Sequence, residues 1–276
     1  SHYRSRVRSL GGALEVRWAL APRQVLILGL EGEGRREAYD AQVPGPGGTY
    51  LDAGAPETGA FRTWSAFGQW QAHLPWETVV TLGLRADRGT NPLHTYAQTS
   101  PRLALVKHLG PRDSLKLLMG TALRGPGLKE VNLNQESLAT HPGLQLPGLK
   151  AETFRTTEVA WVHTGSQGIV SMSLFQNVTR DALDGTQVGG VNVFLNAPGE
   201  TRARGGEVEA RLLGWDGSWQ LWGQVSAARA EGPTGTPLLD VPTWKASVAI
   251  SAPLGPLQGT FRARHVDGWR RGSADP

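Results

Sequence analysis

The sequence predicts an all-β chain, specifically an antiparallel transmembrane β-barrel segment, and three observations predict it. Stretches of about ten to fourteen residues alternate apolar with polar side chains, they break at Gly, Pro or Asp, and the breaks are short and long by turns from Gly12 to Asp267. VVTLGLRAD at 79 to 87 sets Val80, Leu82 and Leu84 on one face and Thr81, Gly83, Arg85 and Asp87 on the other. LKLLMGTALR at 115 to 124 sets Leu115, Leu117, Met119 and Leu123 against Lys116, Gly120 and Arg124. Globular strands average roughly five or six residues. A strand tilted across a bilayer needs about nine to eleven.

Composition agrees with a barrel whose inside is wet. Of 276 residues 39% are hydrophobic, enough for the outward half of each strand and no more. No run approaches the roughly eighteen apolar residues of a transmembrane helix. The 36 glycines often fall in mid-strand, where they ease bending of a closed sheet. The absence of cysteine excludes disulfides and thiolate metal sites. The net charge is +4 and the isoelectric point about 9.7. The 28 Lys and Arg residues are scattered singly and nearly matched by 24 acids, so no basic patch for nucleic acid is legible. The opening SHYRSRVRSLGGALEVRW has no apolar core of a targeting signal and already reads as mid-sheet. The last strand, GTFRARHVDGW, is followed by the polar RRGSADP, so the chain is expected to be part of a longer barrel.

The pattern resolves into about twelve long strands. Tight turns are expected at Ala21-Pro22-Arg23, Leu74-Pro75-Trp76, Gly110-Pro111-Arg112, Thr164-Gly165-Ser166, Trp215-Asp216-Gly217 and Leu254-Gly255-Pro256, all rich in residues that set turn geometry. Long connections are expected at Asp40 to Thr58, Gly89 to Thr99, Pro126 to Lys150, Asp184 to Arg202 and Glu231 to Pro242. Brief turns at one end and extended loops at the other are the asymmetry of an outer-membrane barrel. Of ten tryptophans, Trp70, Trp76, Trp215 and Trp219 lie near tight turns, as an interfacial aromatic belt would place them.

Alternation also assigns each face. Leu82, Leu84, Leu115, Leu117, Val170, Met172, Leu174, Val208, Leu212, Leu221, Val225, Val248, Ile250 and Phe261 are expected to meet lipid. Arg85, Lys116, Arg124, Glu158, Ser171, Ser173, Glu207, Glu209, Arg211, Lys245, Arg262 and Arg264 are expected to line the lumen. The opposite assignment would put cations at the bilayer midplane, at about 2–4 kcal/mol each.

Five stretches, in order, carry a family resemblance. TWSAFGQWQAHLPWETVVTLGLRAD at 63 to 87 ends in a Gly-x-Arg-x-Asp strand. SPRLALVKHLGPRDSLKLLMGTALRGPGLKEV at 100 to 131 begins a strand with Pro-Arg, turns, and leaves a second strand through a basic-Gly-Pro-Gly-Leu-Lys-Glu stretch. LKAETFRTTEVAWVHT, IVSMSLFQNVTRDAL and FLNAPGETRARGGEVEARL follow. In that order and spacing they resemble the barrel of TonB-dependent outer-membrane receptors. Ala151 stands where the family usually has Pro, and Gly205-Gly206 where one Gly is usual.

The resemblance implies about 12 strands of a 22-stranded barrel, open if isolated, with no segment resembling the N-terminal plug. It implies residence in the Gram-negative outer membrane and TonB-energised uptake of a scarce ligand such as a ferric siderophore, cobalamin or glycan. Implied partners are the inner-membrane energy-coupling protein acting through the plug, the barrel-assembly machinery, and a small molecule that could be a metal chelate. No cofactor is implied. In a plugged barrel the ligand is met by long loops and upper lumen, where Tyr39, Tyr50, Tyr96, Arg124 and His141 are the aromatic, basic and imidazole groups available. The rival readings are a soluble or surface β-rich binding protein and a passive plug-free porin.

Catalytic readings do not hold up. ALRGPGLKE lacks the spacing and the helix of a phosphate-cradling loop and is expected to be a strand-exit turn. The seven histidines show no metal-binding spacing; His94 and His141 fall on expected loops. Glu207 and Glu209 share a strand face as paired acids would, but Arg211 beside them points to an ion pair. No nucleophile elbow is present.

Overall fold

In a computed structural model, the structure describes residues 2–44, 50–52, 57–91, 95–214, 217–239 and 241–268. The first hairpins are the longest: β1 (His2–Ala21), β2 (Gln24–Pro44), the short β3 (Tyr50–Asp52), β4 (Glu57–Leu74), β5 (Thr78–Thr90), β6 (Thr95–His108) and β7 (Asp113–Arg124). One helix, α1 (Leu128–Thr140), precedes β8 (Glu152–Gly165) and β9 (Gly168–Arg180). A small hairpin, β10 (Leu183–Val188) and β11 (Val191–Asn196), leads into β12 (Glu200–Leu213), β13 (Gln220–Glu231), β14 (Trp244–Leu254) and β15 (Leu257–Val266).

Twelve strands form one antiparallel sheet in the order β1-β2-β4-β5-β6-β7-β8-β9-β12-β13-β14-β15, with β3 added to β2 and β10–β11 as a separate ribbon. Apart from those two insertions, every strand pairs with its neighbour in sequence. Among the described residues, β1 and β15 each have a partner on one side only, so the sheet is open.

Register fixes the faces, because directly opposed residues project to the same side. Val16, Leu28, Gly68, Leu84 and Pro101 form one continuous row across five strands. Met172, Val208, Val225 and Ala246 form another, and Ile250 opposes Phe261. All fourteen residues expected to face lipid, from Leu82 to Phe261, fall on this apolar side. Leu174, which no other part of the protein covers, is 70% exposed. A band of this size left bare in water would be an aggregation surface; in a bilayer it is the surface that lipid chains cover. The residues expected to line the lumen, from Arg85 to Arg264, fall on the opposite side.

Several tryptophans stand at the turn end, where an interfacial belt is expected. Outward-facing Trp70 donates to Gln24 Oε1 at 3.3 Å, and outward-facing Trp161 donates to Asp113 Oδ1 at 3.1 Å. Trp76 sits in the β4–β5 turn with φ 58°, Trp219 lies in the β12–β13 connection, and Trp215 is outside the described residues.

The loop end differs from expectation in four places. Gly89 to Thr99 is not a long loop: β5 runs to Thr90 and β6 starts at Thr95, because the alternation continues through both. Asp40 to Thr58 is shortened by the extension of β2 and β4 and by β3. Asp184 to Arg202 holds the β10–β11 hairpin, closed by Gly189 and Gly190 at φ 58° and 83°. ALRGPGLKE is not a simple exit turn, since its last three residues begin α1.

Candidate ligand-binding rim

The polar face carries an ordered ion network at mid-height. Arg85 donates through Nη2 to Glu31 Oε2 at 2.7 Å and through Nε to Asp87 Oδ1 at 2.8 Å. Ser65 Oγ donates to the same Asp87 oxygen at 2.5 Å. The guanidinium lies 6.0 Å from the centre of the Phe67 ring. Phe67 can lie flat there because Gly29, directly opposite, has no side chain to meet it. Further along, Glu209 accepts from Arg211 at 2.8 Å and from Trp222 Nε1 at 3.0 Å, as the sequence suggested for this acid. Cross-strand pairs of opposite sign hold such a lining together.

Above this network, at the loop end, a small protein core forms. Helix α1 is preceded by its N-cap Gly127, whose N–H donates to Glu130 Oε2 at 2.8 Å, the Glu half of a capping box. Leu128, buried, fills the space over Gly59 on the polar face of β4. Val131 and Val193 are fully buried between the helix and β11. Asn134 then substitutes for a strand: its Nδ2 donates to Phe194 O at 2.8 Å and its Oδ1 accepts from Phe194 N at 2.7 Å. Ser137 Oγ donates to Asn192 O at 2.9 Å. Asn196 repeats the device, accepting from Lys150 N at 2.7 Å and donating to Lys150 O at 3.0 Å and Asp181 O at 2.7 Å. The helix loop and the hairpin loop are therefore one unit, because every one of these backbone groups would otherwise need water.

Two of the five candidate ligand residues meet at the foot of this unit. The Tyr96 ring lies over Gly89 and Gly125, and a Cβ at Gly125 would sit 2.6 Å from the tyrosine hydroxyl. Arg124, one residue away, bridges Glu130 at 3.0 Å and Glu152 at 3.5 Å. It is not a free cation: with two carboxylates on one guanidinium, the cluster is anionic overall. His141 caps the far end of α1, its N–H donating to Ser137 O at 3.0 Å and its Nδ1 2.9 Å from Thr140 Oγ1. At about 1.5 Å per residue the helix separates it from Arg124 by roughly 20 Å. Tyr39 opposes Glu57 and Tyr50 opposes Pro44 in register; their side chains, like the whole of His94, lie outside the described residues. Among the described residues no group of three or more His, Asp and Glu is placed to hold a metal ion.

Asn134, Asn196, Glu130 and Glu152 were not among the sequence candidates. The signal for the helix was present: LKEVNLNQESLAT is thirteen residues without Gly or Pro, between Gly-Pro-Gly and Pro-Gly. The two asparagines had no signal of their own, since their role exists only once the hairpin is beside them.

A long-stranded antiparallel sheet with an apolar outer band, a charged inner face and a built rim defines the wall of a membrane barrel. Among the described residues no helix is long and apolar enough to cross a membrane. The TonB dependent receptor-like β-barrel family model matches residues 1–275, and the chain belongs to that family. It is an outer-membrane β-barrel of the receptor type, and the family consists of transporters rather than enzymes. The copper transporter OprC is similar in structure, with TM-score 0.74 at 19% identity over 96% of this chain and 43% of that one. The FrpB iron transporter from Neisseria meningitidis follows at 0.72 and 17%, over 95% and 43%. The siderophore receptor PirA from Acinetobacter baumannii gives 0.70 and 18%, over 94% and 42%. The chain thus spans well under half of each of these solved relatives. No curated protein matches it.

Proposed function

We propose that this chain forms the transporting wall of a receptor for TonB-energised uptake of a scarce ligand, such as a ferric siderophore, cobalamin or glycan. The observation that carries the reading is the family match along 1–275. Support comes from the rim: a receptor needs loops that hold their shape before ligand arrives, and the Asn134 and Asn196 bridges provide that. The names of similar structures, a copper transporter, an iron transporter and a siderophore receptor, favour a metal chelate within this range.

On this reading Tyr39, Tyr50, Tyr96 and His141 contact the ligand. Arg124 organises the loop unit through its two carboxylates, and contacts ligand by exchanging one of them. Energy arrives from the inner-membrane coupling protein through a plug, and the barrel-assembly machinery inserts the sheet. The test is uptake of labelled ferric chelates, cobalamin and oligosaccharides by cells with and without the complete receptor, before and after the proton gradient is dissipated. Uptake that needs both receptor and gradient is expected. Uptake indifferent to the gradient would make the protein a passive pore instead.

A further inference from the structure

On the outer face, the apolar band ends in arginine at the loop side. Reading upward from the turns, β5 presents Val80, Leu82, Leu84, Ala86 and then Arg88. β12 presents Leu212, Ala210, Val208, Gly206 and then Arg204. β13 ends the same way in Arg229, β2 in Arg36 and β1 in Arg8. The climb is about eight residues on β5, β12 and β13 and about ten to twelve on β1 and β2; at roughly 3.4 Å each, tilted by about 45°, that is about 20 to 30 Å, so these side chains lie about the upper edge of an apolar band about 25 Å tall. All of them are exposed. At the turn end the same face carries Lys107 and Asp113, the latter paired with His163 at 2.9 Å.

Register makes the arrangement costly unless something else is present. Arg8 lies directly opposite Arg36, and Arg204 directly opposite Arg229, each pair on one face. Like charges directly opposed destabilise a sheet. Arg229 is offset by Glu231 at 2.7 Å, but among the described residues no carboxylate pairs with Arg8, Arg36, Arg88 or Arg204. Two guanidinium forks side by side match one phosphate, which each can grip through two N–H groups. The height is that of lipid headgroups, and the surface directly below is the one lipid chains cover.

We propose that this arginine girdle binds phosphate-bearing headgroups of the outer leaflet, one phosphate held between Arg8 and Arg36 and another between Arg204 and Arg229. The lipid neutralises the opposed cations and fixes the height of the sheet in the membrane. The test uses the complete receptor in nanodiscs of phosphatidylcholine mixed with phosphatidylglycerol, with retained lipid measured by native mass spectrometry. Several-fold enrichment of phosphatidylglycerol is expected at low salt, reduced at high salt, and reduced again in R8Q/R36Q and in R204Q/R229Q. Equal retention of both lipids by the wild-type receptor overturns the proposal, and that measurement stands even where a variant fails to assemble. Enrichment unchanged in both assembled variants overturns it too. Displacement of the retained lipid by millimolar inorganic phosphate would show a free-anion site and overturn the lipid assignment. Ligand uptake is not a readout, so the result is independent of the transport reading.

Discussion

Leu84 and Arg85 are chain neighbours with opposite surroundings: one faces lipid between Gly68 and Pro101, the other joins Glu31 and Asp87. In the complete receptor, Leu84→Arg places a cation within the apolar band and is expected to lower stability by about 2–4 kcal/mol. Thr81→Arg, on the polar face between Gln71 and Ala104, is expected to change it by less than about 1 kcal/mol. Urea unfolding in vesicles compares the two, and equal losses would mean the faces are assigned wrongly. Tyr96 depends on having no side chain beneath it. Gly125→Val is expected to drive the ring off its seat and weaken ligand binding several-fold while the barrel still assembles. Calorimetric titration with the transported ligand decides this, and unchanged affinity would remove Tyr96 from the site.

At the scale of elements, the loop unit is the part held by single side chains. Asn134→Ala strands the N–H and C=O of Phe194 away from their partner, and Asn196→Ala does the same to Lys150. Each is expected to cost about 1–3 kcal/mol locally and to expose residues 128–150 to protease on intact cells, with the strands below unaffected. Resistance equal to wild type would show that Val131 and Val193 hold the unit without them. The same elements show why the strands were legible in the sequence and the rim was not. A strand half in lipid must alternate, so VVTLGLRAD announces its face from its own residues. Helix α1 buries Asn132, Asn134 and Ser137 beside Leu128 and Val131, a polar contact side with no apolar stripe to read. Tyr96 and Arg124 were found as chemical types at a loop end. That Arg124 is already occupied by Glu130 and Glu152 depends on contacts across the α1 and β8 junctions, which spacing does not encode.

For the molecule as a whole the deciding fact is the pair of edges. Within the described residues β1 and β15 each leave one row of backbone N–H and C=O groups unpaired, over 20 and 10 residues respectively. In hydrocarbon such groups cost several kcal/mol each and have no water to turn to. In water they template association, and here they flank an apolar face that is also bare. The isolated 276-residue polypeptide is therefore expected neither to insert as a closed pore nor to stay in solution. Refolding it into detergent and running it unheated and boiled tests this, with protease resistance as the second readout. One unshifted, digestible band is expected. A compact, protease-resistant band that shifts on boiling would mean that β1 and β15 can close on each other, and a twelve-stranded barrel would then be a stable object in its own right.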